Sequence, residues 1–127
     1  MDLRNCIPQD KYDQAAITRA RVAGFPAINP ILPELLNWLQ DINWPVARQM
    51  VELLSGSGSE IVPHIRAVLR SDDAIWKYWI LVSLRSRLEP AVLAQLIPDI
   101  TRLADQPSER DRSEEVDAEA RVLLASL

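Results

Sequence analysis

Three aspartates have the residue type and spacing that acid–base chemistry or cation binding would need. Asp41 and the adjacent Asp72 and Asp73 each follow one apolar segment and precede the next. If these segments are stacked helices, their turns meet at one edge, where carboxylates could move protons or bind a cation. The alternative is that the aspartates cap the following helices. The sequence favours capping, because catalysis would also require a cleft.

Other catalytic arrangements lack essential members. A serine, cysteine or threonine nucleophile needs a base, and the single histidine, His64, stands beside Pro63 at a predicted helix start. The Ser-Gly-Ser-Gly-Ser stretch around Gly56 has no P-loop lysine. Cys6 is the only cysteine, which excludes an intrachain disulfide. We therefore expect no catalytic residue, no metal site and no cofactor.

Four tryptophans make the chain rich in residues that anchor protein interfaces. Trp79 lies inside a long apolar segment, which predicts a core position. Trp44 and Trp76 instead occupy corresponding positions near the turns between predicted helices. The predicted binding edge combines these tryptophans with neighbouring charged residues: Asp41, Trp44, Asp72, Asp73, Trp76 and Lys77.

The net charge of −4 conceals a basic middle section. Residues 61–88 contain 5 basic and 2 acidic groups, whereas residues 89–127 contain 4 and 9. The favoured interpretation is internal pairing of the basic section with Glu114, Glu115, Asp117 and Glu119. The alternative is an anionic partner on a basic strip of Arg66, Arg70, Arg85 and Arg87.

Proline, glycine and capping residues divide the chain into helices. The predicted helices cover about 10–23, capped by Asp10, then 29–40, 45–54, 59–69 and 74–84, with Asn29 and Ser59 as further caps. A helix opened by Pro90 should kink or break near Pro98. A last helix, capped by Ser113, should follow a stretched turn.

The segment Ala74–Leu84 is ambiguous, because its isoleucines, aromatic residues and valine also favour strands. Its length and its place in a repeat favour a helix. Since apolar residues fall on every side, we expect this helix to be buried on nearly all sides.

A repeat organises the chain. The stretches ILPEL (31–35), IVPHI (61–65) and LIPDI (96–100) place prolines 30 and 35 residues apart, each followed by helices and an aspartate-bearing turn. Such units resemble HEAT-type repeats. The predicted fold is all-α: a short HEAT-like α-solenoid of about three antiparallel helix pairs plus an N-terminal helix. As one domain, it divides into a tail (1–9), the N-terminal helix (10–28), repeat 1 (29–56), repeat 2 (57–88), and repeat 3 with a C-terminal cap (89–127).

A more specific resemblance covers almost the whole chain. LPELLNWLQDINWPVA (32–47) and VPHIRAVLRSDDAIWKYWIL (62–81) resemble a bacterial family of small domains of unknown function. The resemblance implies an all-helical cytoplasmic protein and supplies no catalytic residues.

Composition limits the functional classes. The 127 residues are 48% hydrophobic and 25% charged, typical of one globular domain, and contain no apolar run of bilayer-spanning length or signal-peptide pattern. The acidic balance disfavours nucleic acid. We expect a cytoplasmic helical-repeat module that binds a protein or peptide, with a regulatory or immunity-type role. The alternatives are a DNA-binding or DNA-repair HEAT-like protein and a carboxylate-dependent hydrolase; the oligomeric state stays open.

Overall fold

The computed structural model describes residues 2–85 and 87–127, in which every regular element is helical. The predicted all-α class is therefore confirmed. Short 3-10 turns cover Leu3–Cys6, Asn29–Ile31, Asn37–Leu39 and Gly58–Ile61. The α-helices are α1 (Gln14–Ala23), α2 (Leu32–Leu36), α3 (Ala47–Leu54), α4 (Val62–Leu69), α5 (Ala74–Leu84), α6 (Pro90–Asp105), α7 (Glu109–Ser113) and α8 (Val116–Ala125).

Helix α1 begins later than predicted. Asp13, not Asp10, is its N-cap, and its carboxylate accepts the N–H of Ala16 at 3.3 Å. The Asp10 carboxylate accepts the N–H of Tyr12 instead, which holds residues 10–12 in a turn. The prediction of Asp10 as the cap is wrong, because Asp10 stabilises the preceding turn and Asp13 caps the helix.

Helices α2 and α4 carry a proline in their first turn, as the repeat predicts. Neither uses the predicted cap. Asn29 and Ser59 lie inside the 3-10 turns that lead into these helices, and neither turn has a side-chain cap. The Ser59 hydroxyl accepts a hydrogen bond from the Gln95 side chain at 2.9 Å, so it links separate parts of the chain.

Helix α5 has the predicted bounds, and Asp73 caps it by accepting the N–H of Trp76 at 3.0 Å. The expected burial on nearly all sides is wrong. One face is buried, whereas Ile75 is 43% exposed and Trp79 is only partly buried, so Trp79 is not the core residue predicted. The buried positions are Ala74, Lys77, Ile80, Leu81 and Leu84.

The sequence predicts a kink or a break near Pro98, and the break does not occur, because helix α6 runs continuously from Pro90 to Asp105. A proline inside a helix leaves the carbonyl four residues earlier without its N–H partner. Here that residue is Ala94, which is exposed, as is Pro98. Water can therefore satisfy the freed carbonyl, and the helix continues.

The C-terminal end differs most from expectation. Residues predicted as a stretched turn form α7, where Ser108 and Asp111 make a capping box. Ser113 ends this helix, so its predicted role as the cap of the last helix is wrong. Glu115 separates α7 from α8 with a left-handed backbone.

The helices pack around one apolar cluster that draws residues from almost every element. Helix α4 contacts α2, α5 and α6, while α8 packs on α5, α6 and α7. Helix α1 packs on α3. None of the described helices is both long and apolar enough to cross a bilayer.

A buried carboxylate joins α4 to α6. Asp99 is 3% exposed and accepts hydrogen bonds from the Nε atoms of Arg66 and Arg70, each at 2.9 Å. Burial tends to raise the pKa of Asp99, but hydrogen bonds and charge from the two arginines outweigh it and lower that pKa below its ordinary value. Asp99 therefore stabilises the fold in its charged form.

Replacing Asp99 should show how much its charge contributes to the free energy of unfolding, because that contribution depends on pH. Asp99→Asn should lower the free energy of unfolding at pH 7 by about 1–3 kcal/mol, because charge-assisted hydrogen bonds are lost. A lowered folded-state pKa stabilises above the unfolded-state pKa of about 4, and this stabilisation is lost as the pH falls through the folded value. The difference from wild type in urea unfolding should thus shrink in acid. Asp72→Asn, which changes an exposed aspartate, is the control; equal stability of both variants at pH 7 would contradict the prediction.

Candidate functional site

The predicted aspartate edge consists of separate turns and caps. Asp73 caps α5, and Asp41 accepts the N–H of Asn43 at 2.8 Å. Asp72 is exposed. Within residues 2–85 and 87–127, no three histidine, cysteine or acidic side chains are grouped to hold a metal ion. The contacts of Asp41 and Asp73 are those of local backbone stabilisation.

The two tryptophans of the predicted edge have different surroundings. Trp44 packs edge-to-face on Trp38, with ring centroids 5.6 Å apart. Trp76 lines a groove between α2 and α4. Trp44 is not among the residues that line this groove.

Lys77 is not a surface residue, and its prediction as part of the binding edge is wrong. Its ammonium nitrogen lies 2.7 Å from Oδ1 of Asp111, and both side chains are only 5% exposed. The pair joins α5 to α7. Oδ2 of Asp111 also faces the Ser108 N–H in the capping box. Any ligand at this surface would meet neither charge.

The predicted basic strip is partly neutralised within the chain. Arg66 and Arg70 bind Asp99, and Arg85 lies 3.2 Å from Glu119. Internal pairing, the favoured interpretation, is thus found for Glu119, whereas Asp99 was not among the acids predicted. Arg87 is exposed. Of the remaining predicted acids, Asp117 pairs with Arg121, whereas Glu114 and Glu115 have no ion-pair partner among the described residues.

The groove between α2 and α4 has a volume of about 290 Å³. Glu34, Asn37, His64, Ser71 and Trp76 line it together with apolar residues. The indole Nε1 of Trp76 is buried and has no acceptor among the described residues. His64 forms no hydrogen bond to a serine or carboxylate there, so the groove has polar groups without a nucleophile–base pair.

A second hollow, of about 300 Å³, lies beside the outward side of α5. Tyr78 and Trp79 form an edge-to-face pair there, with ring centroids 5.0 Å apart. Glu114 and Glu115 line the opposite side. We call Ile75, Tyr78, Trp79 and Val82 the α5 surface, and Glu114 and Glu115 the acidic rim.

Sequence reasoning missed this hollow for two reasons. The all-round apolar character of α5 predicts burial, and Glu114 and Glu115 directly follow Ser113, the predicted cap of the last helix. The available signal was the Glu-Glu pair after Ser113, which is too short a pattern to place opposite α5 without the fold.

Glu115 has an unusual backbone. Its φ of 62° and ψ of 24° lie in the left-handed region, where it is the only non-glycine residue with positive φ among the described residues. This conformation is unfavourable for a residue with a Cβ atom, and glycine commonly occupies it at the end of a helix. Strained positions tend to cluster at functional sites.

Comparison with known proteins agrees with the resemblance seen in the sequence. The model of the family described as a domain of unknown function (DUF5071) matches residues 6–124, and the chain belongs to this family. No curated protein matches the chain.

The buried ion pair generates a stability prediction. Lys77→Met should lower the free energy of unfolding by about 3–5 kcal/mol, because it leaves the Asp111 carboxylate buried without its counter-charge. Lys77→Met combined with Asp111→Asn should recover part of this loss, since asparagine can still accept from Ser108. Urea unfolding of the wild type, both single variants and the double variant measures the coupling. Additive losses would show that the two groups do not interact.

The strained glutamate generates the opposite prediction. Glu115→Gly should raise the free energy of unfolding by about 0.5–1 kcal/mol, because glycine adopts positive φ without steric cost. Glu114→Gly is the matched control and should destabilise, since Glu114 has negative φ. Thermal unfolding of the two variants separates these outcomes, and a destabilised Glu115→Gly would contradict the strain.

Proposed function

We propose that this protein is a helical-repeat binding module that docks one partner protein on the α5 surface. The chemistry of the described residues supports binding better than catalysis, because no nucleophile–base pair or metal-binding group is assembled. The proposal rests on one observation, the incomplete burial of α5.

A helix that is apolar on all sides is normally covered on all sides. Helix α5 is fully buried on one side only; on the other, Ile75 is exposed and Tyr78, Trp79 and Val82 are partly buried. Their spacing of three, one and three residues places them on adjacent turns of the helix. A contiguous apolar patch of this kind marks an interaction surface.

The residue types on this surface suit a protein interface. Tyrosine and tryptophan contribute large contact areas and are enriched among residues that dominate binding energy. The Lys77–Asp111 pair and the Asp73 cap hold α5 in place. A preorganised aromatic surface loses little conformational entropy when a partner docks.

The packing supports the HEAT-like interpretation. Helix α4 contacts both α2 and α6, and α5 contacts α8. This pattern fits two rows of helices, with α2, α4 and α6 in one row and α5 and α8 in the other. Repeat solenoids bind partners along such extended surfaces.

A cytoplasmic location remains a sequence-based prediction.

The two alternative functions have less support. An anionic partner such as DNA would compete with Asp99 and Glu119 for Arg66, Arg70 and Arg85. A carboxylate-dependent hydrolase would require acids gathered in a cleft, whereas Asp41 and Asp73 bind backbone N–H groups.

Site-specific photo-crosslinking tests the docking surface. A p-benzoylphenylalanine in place of Ile75 should form one adduct with a partner protein in the source cell, identifiable by mass spectrometry. The same residue in place of Val22 is the matched control, because Val22 is also an exposed apolar residue, 84% exposed on α1. The purified partner should then bind Trp79→Ala at least about 10-fold more weakly than wild type, and Val22→Ala with unchanged affinity.

Three results would contradict the proposal. The first is the absence of an adduct specific to position 75. The second is a partner whose affinity does not depend on Trp79. The third is an adduct with a second copy of this chain, which would make the α5 surface a self-association interface. Circular dichroism of Trp79→Ala checks that its fold is intact.

A further inference from the structure

We infer that the partner places a basic side chain, arginine or lysine, in the hollow between the α5 surface and the acidic rim. This inference rests on the proposed function, which it deepens by giving the chemistry of the partner. It is carried by the contents of the hollow, by the pairing of the other acids nearby and by the geometry of self-association.

The hollow combines groups that recognise a cation with an aliphatic stem. Ile75, Tyr78 and Trp79 provide an apolar and aromatic wall, and Glu114 and Glu115 provide carboxylates opposite it. The volume of about 300 Å³ is sufficient for one long side chain. Arginine and lysine bury their stems along apolar surfaces and keep the charged end among polar groups. Aromatic faces and carboxylates both attract that charged end.

The acidic rim has no ion-pair partner among the described residues, whereas three of the four other acids in α7 and α8 are paired. Asp111 binds Lys77, Asp117 binds Arg121, and Glu119 binds Arg85. Glu114 and Glu115 have no ion-pair partner within 4 Å among the described residues. Glu114 and Glu115, which face the aromatic pair, are thus among the carboxylates of the α7–α8 region that have no internal counter-charge.

Charge also argues against a second copy as the occupant. A symmetric dimer apposes the same surface patch of two subunits. Here it would bring two acidic rims into one interface, where unpaired like charges repel. A partner with a basic side chain instead offers opposite charge together with apolar contact. The surface therefore fits a basic protein segment better than it fits itself.

A titration with synthetic peptides tests the inference without knowledge of the natural partner. The probe is an oligo-arginine peptide, compared with an oligo-glutamate peptide of the same length. Nuclear magnetic resonance follows the indole N–H signal of Trp79, assigned by its loss in Trp79→Phe, and the backbone amides of Glu114 and Glu115. Oligo-arginine should shift these signals and leave the indole signals of Trp38 and Trp44 unchanged, whereas oligo-glutamate should shift none.

The matched variants separate recognition in the hollow from general attraction to an acidic protein. Glu114→Gln with Glu115→Gln should weaken oligo-arginine binding about 10-fold, because both carboxylates lose their charge. Glu52→Gln with Glu60→Gln removes the same net charge from exposed sites elsewhere and should leave the affinity within about twofold.

Each outcome decides between the two proposals. Equal weakening in both double variants, or no shift of Trp79, would overturn the basic-side-chain inference. If crosslinking from position 75 still identifies a partner that depends on Trp79, the docking surface remains and only the partner chemistry is wrong. If binding of oligo-arginine in the hollow is found without any crosslinked partner, the cation site stands and the proposed function fails.

Discussion

The buried ion pair between Lys77 and Asp111 determines the rotation of α5, and the candidate binding surface depends on that rotation. Removing an ammonium and a carboxylate from water is costly unless they remain paired, so Lys77 must point toward α7. At about 100° per residue, Ile75, Trp79 and Val82 then lie nearly opposite Lys77, and Tyr78 lies beside them. An apolar helix could otherwise pack with almost any side inward, since hydrophobic burial has little directional preference. The charge pair selects one orientation and leaves the aromatic side at the surface.

Asp99 has a similar effect on helices α4 and α6. Its carboxylate joins α4 to α6 through two arginines, and the charges that make the middle of the sequence basic are thereby used inside the fold. The surface that a partner meets therefore differs in charge from the sequence average. In the α7–α8 region, the ion pairs among the described residues leave Glu109, Glu114 and Glu115 without internal partners, and the last two lie next to the aromatic side of α5. Internal pairing thus determines where charge remains for recognition.

The sequence predicted those elements whose signals are local. The bounds of α5 follow from the Asp73 cap and the repeat, and the all-α class follows from the spacing of apolar residues. The burial of Lys77 could not be predicted, because its partner Asp111 lies in a segment that reads as a turn and becomes helix α7 only with its capping box. The continuity of α6 through Pro98 could not be predicted for a related reason. The free-energy cost of a proline inside a helix depends on whether water reaches the freed carbonyl, and tertiary packing determines whether it does. The candidate site was missed because its aromatic residues and its glutamates belong to helices that are distant in sequence.

Two kinds of departure from local rules occur on the side of the molecule that carries the α5 surface. Glu115 occupies a backbone conformation suited to glycine, and Trp79 and Ile75 remain partly or largely exposed on an apolar helix. The large apolar residues of α2 and α4, by contrast, are buried. A sequence shaped only by stability would remove such departures, since changes like glycine at a left-handed position are simple and favourable. Natural proteins typically retain them where function requires them. The strained backbone and the partly exposed aromatic residues line the same hollow, which argues that one binding event accounts for both.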